Sequence, residues 1–471
     1  MIDDDGREVY YHGLNVIYKS PPWLPIMDHF DPQLSYVEKD AQSLNEWGIN
    51  LIRLGMMWPG AEPQRGTFDL NYFKSIEDIV SLSQKYNIST LLDMHQDSLS
   101  QLYCGEGVPE WAGRVSSPLF ETFPEPLGSP FSRDPVTGWP SPSDCAKFMW
   151  ADYEFTWAGA VAYQQLYDPV SKGGMREEMG LFWQKVAQYF VNNQAVIGFE
   201  IINEPFAGDV WLYPDLLLPW IADSTNLQPF YDTIAPMIRE ANKNHLIFFE
   251  PVTWSGEPIN DEKVGFDHAP GGEQFANQSV FSYHYYDPPN LGDKLSYFQR
   301  RTKVSEDLSV GAMLTEFSVD SNFTEMASTM ATVESFQTSW IGWEYKAFAG
   351  SLPNGTCTGC GIGPWNPDGS LNVPMVKTLS RTYAQAVAGM VNQSIFDDKT
   401  AQYKLTYQVN KACKKPTEIY FNQELYYPKS YTCSVDPPNL AQCLLVSKNH
   451  LEVHHSPTIP DKQLLTITIA P

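Results

Sequence analysis

Basic residues are scarce in this 471-residue chain: 31 Lys and Arg stand against 56 Asp and Glu, for a net charge of −25. Phosphate-backbone binding relies on the opposite balance, so a nucleic-acid partner is excluded. Charge-driven docking on anionic lipid is excluded for the same reason. No apolar run reaches the roughly 18 residues of a membrane span. The opening Met1-Ile-Asp-Asp-Asp-Gly6 lacks the basic start and apolar stretch of a secretory leader. The chain is therefore expected to be cytosolic, or to reach another compartment with a leader that this sequence does not contain. No Gly-x-Gly-x-x-Gly follows the first apolar run, which argues against a dinucleotide fold. No Gly-x-Ser-x-Gly elbow occurs, which argues against a Ser-His-Asp hydrolase. Repeats and low-complexity tracts are absent too. Histidine is sparse, and His95 and His284 lie on distant predicted strands without an obvious third ligand, so neither a metal nor any other cofactor is expected.

What the chain has is apolar and aromatic content, 43% and 14%, enough for large cores and for rings left over to line a cleft. Eight short apolar runs read as buried strands: residues 9–16, 49–58, 88–97, 196–205, 246–253, 279–287, 311–319 and 339–348. Helical patterns at 70–86 and 179–192 lie between some of them. Apolar strands alternating with helices predict a parallel sheet covered on both faces, and eight of them favour closure into a (β/α)8 barrel. The expected barrel spans 1–392, with a long insertion at about 98–195 that carries Cys104, Cys145 and many prolines and aromatic residues. A loop of that length is usually functional or disordered, and this one is too aromatic for disorder. Cys104–Cys145 is the pair that would staple it. After a predicted helix at 376–391, short strands within 397–471 suggest a small β-sandwich that braces the barrel.

The seven cysteines also include Cys357-Thr-Gly-Cys360 in a Gly/Pro-rich loop, read as a local disulfide rather than a redox or zinc pair. An odd cysteine is left over. Sequons at Asn87, Asn277, Asn322, Asn354 and Asn392 together with the cysteines lean towards a secreted or lysosomal, digestive-lumen protein.

The predicted strands end in polar residues: Arg53; His95 and Asp97; Asn203 and Glu204; His284 and Tyr286; Glu316; Trp343 and Glu344. In a barrel, such strand ends build the active site. Phe199-Glu-Ile-Ile-Asn-Glu-Pro205 closes the fourth strand and Leu314-Thr-Glu-Phe-Ser318 the seventh, on opposite sides of the barrel mouth. Cleavage of a glycoside through a covalent intermediate needs two carboxyl groups so placed, one to attack carbon and one to give and take a proton. A charged Glu316 would help keep Glu204 protonated.

Asn203-Glu204-Pro205 with the later glutamate resembles glycoside hydrolase family 5 and its clan, over about four-fifths of the chain. His12-Gly-Leu-Asn-Val-Ile-Tyr-Lys19, Asp93-Met-His-Gln-Asp97, Tyr103-Cys-Gly-Glu-Gly-Val-Pro-Glu-Trp111 and Leu216-Leu-Leu-Pro-Trp220 are similar to the endoglycoceramidase branch. The resemblance implies Glu204 as general acid/base and Glu316 as nucleophile, with Arg53 and Tyr286 orienting Glu316. It implies that Asn203 donates to the sugar 2-hydroxyl and that His95, Asp97 and Lys19 bind other hydroxyls. His284 would support the acid/base and Trp343 would lie under the first sugar.

The same branch implies hydrolysis of the bond between oligosaccharide and ceramide in glycosphingolipids, with the apolar 216–220 segment on the lipid side and possible peripheral contact with lipid surfaces or micelles. Glucosylceramidase-like exo-cleavage and polysaccharide endoglucanase activity are alternatives, and a non-catalytic glycolipid-binding protein is a third. Oligomeric state is left open.

Overall fold

The structure, a computed structural model, describes residues 1–253, 264–287, 290, 293–348 and 363–471. Eight parallel strands close into a barrel: β1 (His12–Val16), β2 (Leu51–Gly55), β3 (Ser89–Asp93), β4 (Val196–Glu200), β5 (Leu246–Phe249), β6 (Ser279–Tyr285), β7 (Gly311–Phe317) and β8 (Ser339–Gly342). Closure is made by β8 on β1, with Trp340 beside His12 and Gly342 beside Leu14. The (β/α)8 reading of the sequence is borne out. Each strand is shorter than its apolar run; β1, for one, begins at His12 because Val9 pairs outside the barrel.

Leu51, Leu91, Phe248, Val280, Met313 and Ile341 form an apolar cluster of their own in this sheet. Helices pack around the barrel through one face. In Leu70–Lys85 the buried residues Tyr72, Phe73, Ile76, Ile79, Val80 and Ser83 recur at helical spacing, and the Asp69 carboxylate caps the first turn by accepting from the Asn71 amide at 2.9 Å.

Between β3 and β4 the chain makes the long excursion. The Cys104–Cys145 disulfide ties it, and Tyr103, Phe120, Phe123, Phe131 and Tyr153 pack edge to face within it. Its helix Trp157–Tyr167 carries Tyr163, whose hydroxyl donates to Gln96 Oε1 at 2.6 Å. Gln96 in turn donates to the carbonyls of Asn203 and Glu204, both at 2.8 Å. The insertion thus reaches the end of β4 through two side chains.

The helix expected at 376–391 ends at Leu379. It spans Val373–Leu379, and strands Tyr383–Val387 and Gly389–Asp397 follow. The apolar run there suits either period, and tertiary pairing decides it. Tyr383–Val387 pairs with Thr417–Tyr420, and Gly389–Asp397 pairs with Gln402–Val409. Gly389 is needed at the junction: a Cβ there would stand 2.1 Å from the Gln408 carbonyl oxygen. The sandwich strands therefore begin at 383 rather than at 397. The short strand Glu8–Val9 joins them too, pairing with Tyr383–Val387 rather than with the barrel.

Two antiparallel sheets of five and four strands enclose a separate core built on residues such as Val387, Leu405, Tyr407, Val453, Leu465 and Ile467. Strict alternation of buried and exposed residues along Gln402–Val409 and Leu464–Ala470 places one face of each inward. The sandwich meets the barrel through the Tyr383 hydroxyl on the Gly48 carbonyl, the Tyr420 hydroxyl on the Glu46 carbonyl, and Arg381 paired with Glu334. Cys433–Cys443 is a disulfide and Cys413 is free. Cys357 and Cys360, read as a local pair, lie outside the described residues, as does the sequon at Asn354.

Candidate active site

Every residue singled out at the predicted strand ends lies at the same mouth of the barrel. Arg53, inside β2, is fully buried, and carboxylates surround it. Its Nε donates to Glu200 Oε2 at 2.5 Å, and one terminal nitrogen reaches Glu316 Oε1 at 2.8 Å and Asn15 Oδ1 at 3.0 Å. The other reaches Asn203 Oδ1 at 2.8 Å, Asp93 Oδ2 at 3.2 Å and Glu250 Oε1 at 3.5 Å. Burial works against this cation, but Asp93, Glu200, Glu316 and Glu250 hold its pKa well above the ordinary value.

The second oxygen of Glu316 accepts from the Tyr286 hydroxyl at 2.6 Å. Across the mouth, Glu204 Oε1 lies 2.7 Å from His284 Nδ1. A carboxylate oxygen of Glu204, a ring nitrogen of His284 and a carboxylate oxygen of Glu316 lie within 4.8 Å of one another. Burial opposes a charge on His284, yet Glu250, Glu316 and Glu204 raise its pKa well above the usual imidazole value. Glu204 itself adopts a left-handed backbone conformation, φ 39°, rare for a residue with a side chain. Asn203 spends one amide hydrogen on the Gln96 carbonyl at 3.0 Å and has a second to offer.

A second cluster stands beside this one. Lys19 pairs closely with Asp97 and lies 3.4 Å from Glu106 Oε1, with its ammonium 4.6 Å from the centre of the Trp343 ring. His95 stacks on Trp343, centroids 5.1 Å apart, and its Nδ1 lies 3.0 Å from Asp93 Oδ2. Trp343 itself is only partly buried. Glu106 is held against Asp97 by reciprocal backbone hydrogen bonds of 2.9 and 3.2 Å. The flanking glycines permit that approach, since a Cβ on Gly105 would fall 1.7 Å from the Asp97 carbonyl oxygen. Burial raises the pKa of both carboxyls. Lys19 then brings Asp97 well below the ordinary value, while Asp97 adds to the rise that leaves Glu106 well above it despite Lys19. Burial likewise raises Glu344, the residue after Trp343, with Lys19 opposing.

The sequence reading missed Glu106 as a member of the site. Its carboxyl completes a group with His95 and Asp97 whose atoms lie within 4.8 Å, a group separate from His284. Lys19 is the cation that this group holds. Asn15, Asp93, Glu200 and Glu250 were also missed, although Phe199-Glu200 and Phe249-Glu250 show the same apolar run closed by an acid as the residues chosen. Of the 216–220 segment, Leu216 is core, whereas Leu218 and Trp220 are exposed.

The description "Cellulase (glycosyl hydrolase family 5)" matches residues 30–349, and "Glycoside hydrolase family 5 C-terminal domain" matches 381–469. The chain is 43% identical to an endoglycoceramidase of Hydra vulgaris over 439 residues, covering 93% of this chain and 82% of that protein. It is 38% identical to one of Cyanea nozakii, covering 100% and 92%. Among solved structures, endo-glycoceramidase II from Rhodococcus sp. as its lactosyl-enzyme intermediate superposes with a TM-score of 0.76 at 21% identity, covering 100% of this chain and 99% of that one, a likeness of fold. A barrel with this strand-end constellation, the two matched domains and relatives of such identity lead to one assignment: the chain belongs to glycoside hydrolase family 5.

Proposed function

We propose that this enzyme hydrolyses the bond between oligosaccharide and ceramide in glycosphingolipids, with retention, through a glycosyl-enzyme intermediate. The observation that carries the chemistry is the pair of carboxyl groups, Glu204 and Glu316, with oxygens within 4.8 Å across the mouth. Retaining glycosidases keep theirs about 5–5.5 Å apart, against about 6.5–9.5 Å where a water must fit between.

Glu316 is the nucleophile. Arg53 and Tyr286 take one oxygen each, which aims the group. As it bonds to the anomeric carbon, Glu204 gives its proton to the departing ceramide oxygen. Water then enters, loses a proton to Glu204 and attacks the same carbon, releasing Glu316. Asn203 donates to the 2-hydroxyl, a bond that strengthens in the transition state. Lys19, His95 and Asp97 bind further hydroxyls over the Trp343 ring, and His284 supports Glu204.

Ceramide as the leaving group is supported by the names of the relatives and by the surface beyond β4. Trp211, Leu212, Tyr213, Leu218 and Trp220 each keep between 46 and 65% of their surface in solvent. Five such side chains within ten residues form an apolar rim suited to acyl chains or to the face of a micelle. Trp211 is steadied by its indole N–H on the Phe155 carbonyl, 3.1 Å away in the insertion. A secretory or lysosomal location is supported by the two disulfides and by sequon residues Asn87, Asn277, Asn322 and Asn392, all at the surface.

The test is to incubate the protein with a ganglioside, lactosylceramide, glucosylceramide and a soluble β-glucan, and to identify products by mass spectrometry. Intact oligosaccharide and free ceramide are expected, and neither with Glu316→Gln. Glucose from glucosylceramide alone, or cleavage of only the glucan, would move the specificity to another branch of the family. No turnover of any of them would favour a binding protein.

A further inference from the structure

Glu250, one residue past β5, is a buried carboxyl for which the mechanism so far has no use. It touches the acid/base in two ways. Its Oε2 accepts from the backbone N–H of Glu204 at 3.3 Å, at the very residue held at φ 39°. Its Oε1 lies 3.3 Å from His284 Nε2 in an ion-pair contact, while Nδ1 of the same ring faces Glu204 at 2.7 Å. The imidazole thus has Glu250 on one nitrogen, and Glu204 with Glu316 farther off on the other.

We propose that Glu250 is a positioning residue for the acid/base: it fixes the Glu204 backbone and, through Nε2 of the His284 ring, the orientation of the Glu204 side chain. This rests on the reading of Glu204 as general acid/base. A carboxylate behind Nε2 favours the imidazolium, whose Nδ1–H then donates to Glu204 and holds that side chain in one orientation.

The charged and titratable groups around Glu250 come from every neighbouring element. β2 supplies Arg53, at 3.5 Å. Glu200 ends β4, with Glu204 beyond it. β6 supplies His284, and β7 supplies Glu316, whose Oε2 is 3.6 Å from His284 Nδ1. From helix Gln228–Ala241 the Tyr231 hydroxyl donates to the Glu250 backbone carbonyl at 2.7 Å. Burial pushes the Glu250 carboxyl up to about 8, with His284 and Arg53 pulling down and Glu200 adding to the rise. Glu250 and His284 are therefore linked, and without the Glu250 charge the His284 imidazolium that holds Glu204 gives up its proton at lower pH.

The experiment compares wild type with Glu250→Gln and Glu204→Gln, on a glycosphingolipid and on a soluble lactoside whose dinitrophenolate leaving group needs no acid. For Glu250→Gln the basic limb of kcat/KM on the glycolipid is expected to move down by about one pH unit, with kcat reduced about tenfold. KM and formation of the glycosyl-enzyme from the activated lactoside should stay at wild-type values. A superimposable pH profile, or an equal loss on both substrates, would overturn the proposal, the latter by showing a merely structural role. Glu204→Gln separates the two ideas. If it spares the glycolipid reaction, the acid/base assignment fails; if it abolishes that reaction but spares glycosyl-enzyme formation from the activated lactoside, read as a burst of dinitrophenolate, the assignment holds and the Glu250→Gln profile alone decides. Should Glu250→Gln not fold, nitrogen NMR of wild-type imidazoles, assigned with His284→Asn, gives the answer. His284 protonated to well above its ordinary pH is expected, and a neutral ring from about pH 5 to about pH 8 would overturn the proposal.

Discussion

Glu316 has both oxygens engaged before any substrate arrives, one by Arg53 and one by Tyr286. A carboxylate so held is aimed in one direction, and its two partners are not equivalent. Tyr286→Phe removes a neutral donor and leaves Arg53 in place, so kcat is expected to fall about 10- to 100-fold with KM little changed, measurable on a soluble aryl lactoside. Glu316→Gln removes the attacking group itself, and a loss of roughly 10⁴-fold or more is expected in the same assay. The resemblance named these residues, and the strand-end rule alone pointed to most of them. Glu106 was hidden because its signal was a pair of glycines, and what Gly105 and Gly107 permit is a backbone approach that no spacing rule encodes. Glu250 was visible as an acid after an apolar run, but nothing in the sequence places it behind His284.

At the scale of elements, the insertion between β3 and β4 carries the most weight for function. Its disulfide closes 41 residues of sequence separation, and loss of that cross-link in Cys104→Ser/Cys145→Ser is expected to cost about 4 kcal/mol on the chain-entropy account. A lower melting temperature checks this. A rise in KM should accompany it, because Gly105–Gly107 next to Cys104 hold Glu106 under Lys19. The exposed rim after β4 makes a separate prediction. Trp211→Ser/Trp220→Ser should raise KM about tenfold for glycolipid in micelles and leave a soluble aryl lactoside unaffected, since only the former uses the apolar surface. Equal effects on both substrates would place these rings in the sugar site instead. Strand 383–387 shows the opposite case, where an apolar run of fitting length for a helix was claimed by a sheet. Its partners, 417–420 and the N-terminal strand at 8–9, are far away in sequence, so no local pattern could announce them.

For the whole molecule, the interface between barrel and sandwich decides stability. A chain ending at Asn392 would cut strand Gly389–Asp397 and strip Tyr420 from Gly48, against which it packs so closely that a Cβ on that glycine would stand 2.3 Å from its ring. Such a chain is expected to be insoluble, and a soluble, fully active one would count against the bracing role. His12 makes this interface sensitive to acid. Its ring stacks on Trp340 of the barrel and on Tyr383 of the sandwich, 4.2 and 3.5 Å between centroids. Burial, with Arg381 adding, holds its pKa well below the usual 6.5. The unfolded chain therefore takes up a proton there that the folded chain refuses, so this contribution is full above about pH 6.5 and is lost as pH falls towards the folded value. Melting temperature should drop between about pH 7 and about pH 5, with a shallower slope in His12→Phe. Buried His245 and half-buried His450 and His455 are lowered in the same direction, so the slope diminishes without vanishing.

Apolar strands at barrel spacing, each ending in a polar residue, determined the architecture and the face on which chemistry happens, because both follow from local periodicity and from the parallel winding of strands. Asn203-Glu204-Pro205 and the Glu316 strand determined the reaction class in the same local way. Tertiary structure alone decided which groups meet. Which of Asp97 and Glu106 has its pKa raised, how many acids crowd Arg53, and what stands behind His284 depend on contacts of 2.5–3.5 Å between residues from different segments of the chain. It also decided where the second domain begins, since an edge strand takes its identity from the partner it pairs with, and that partner lies elsewhere in the chain.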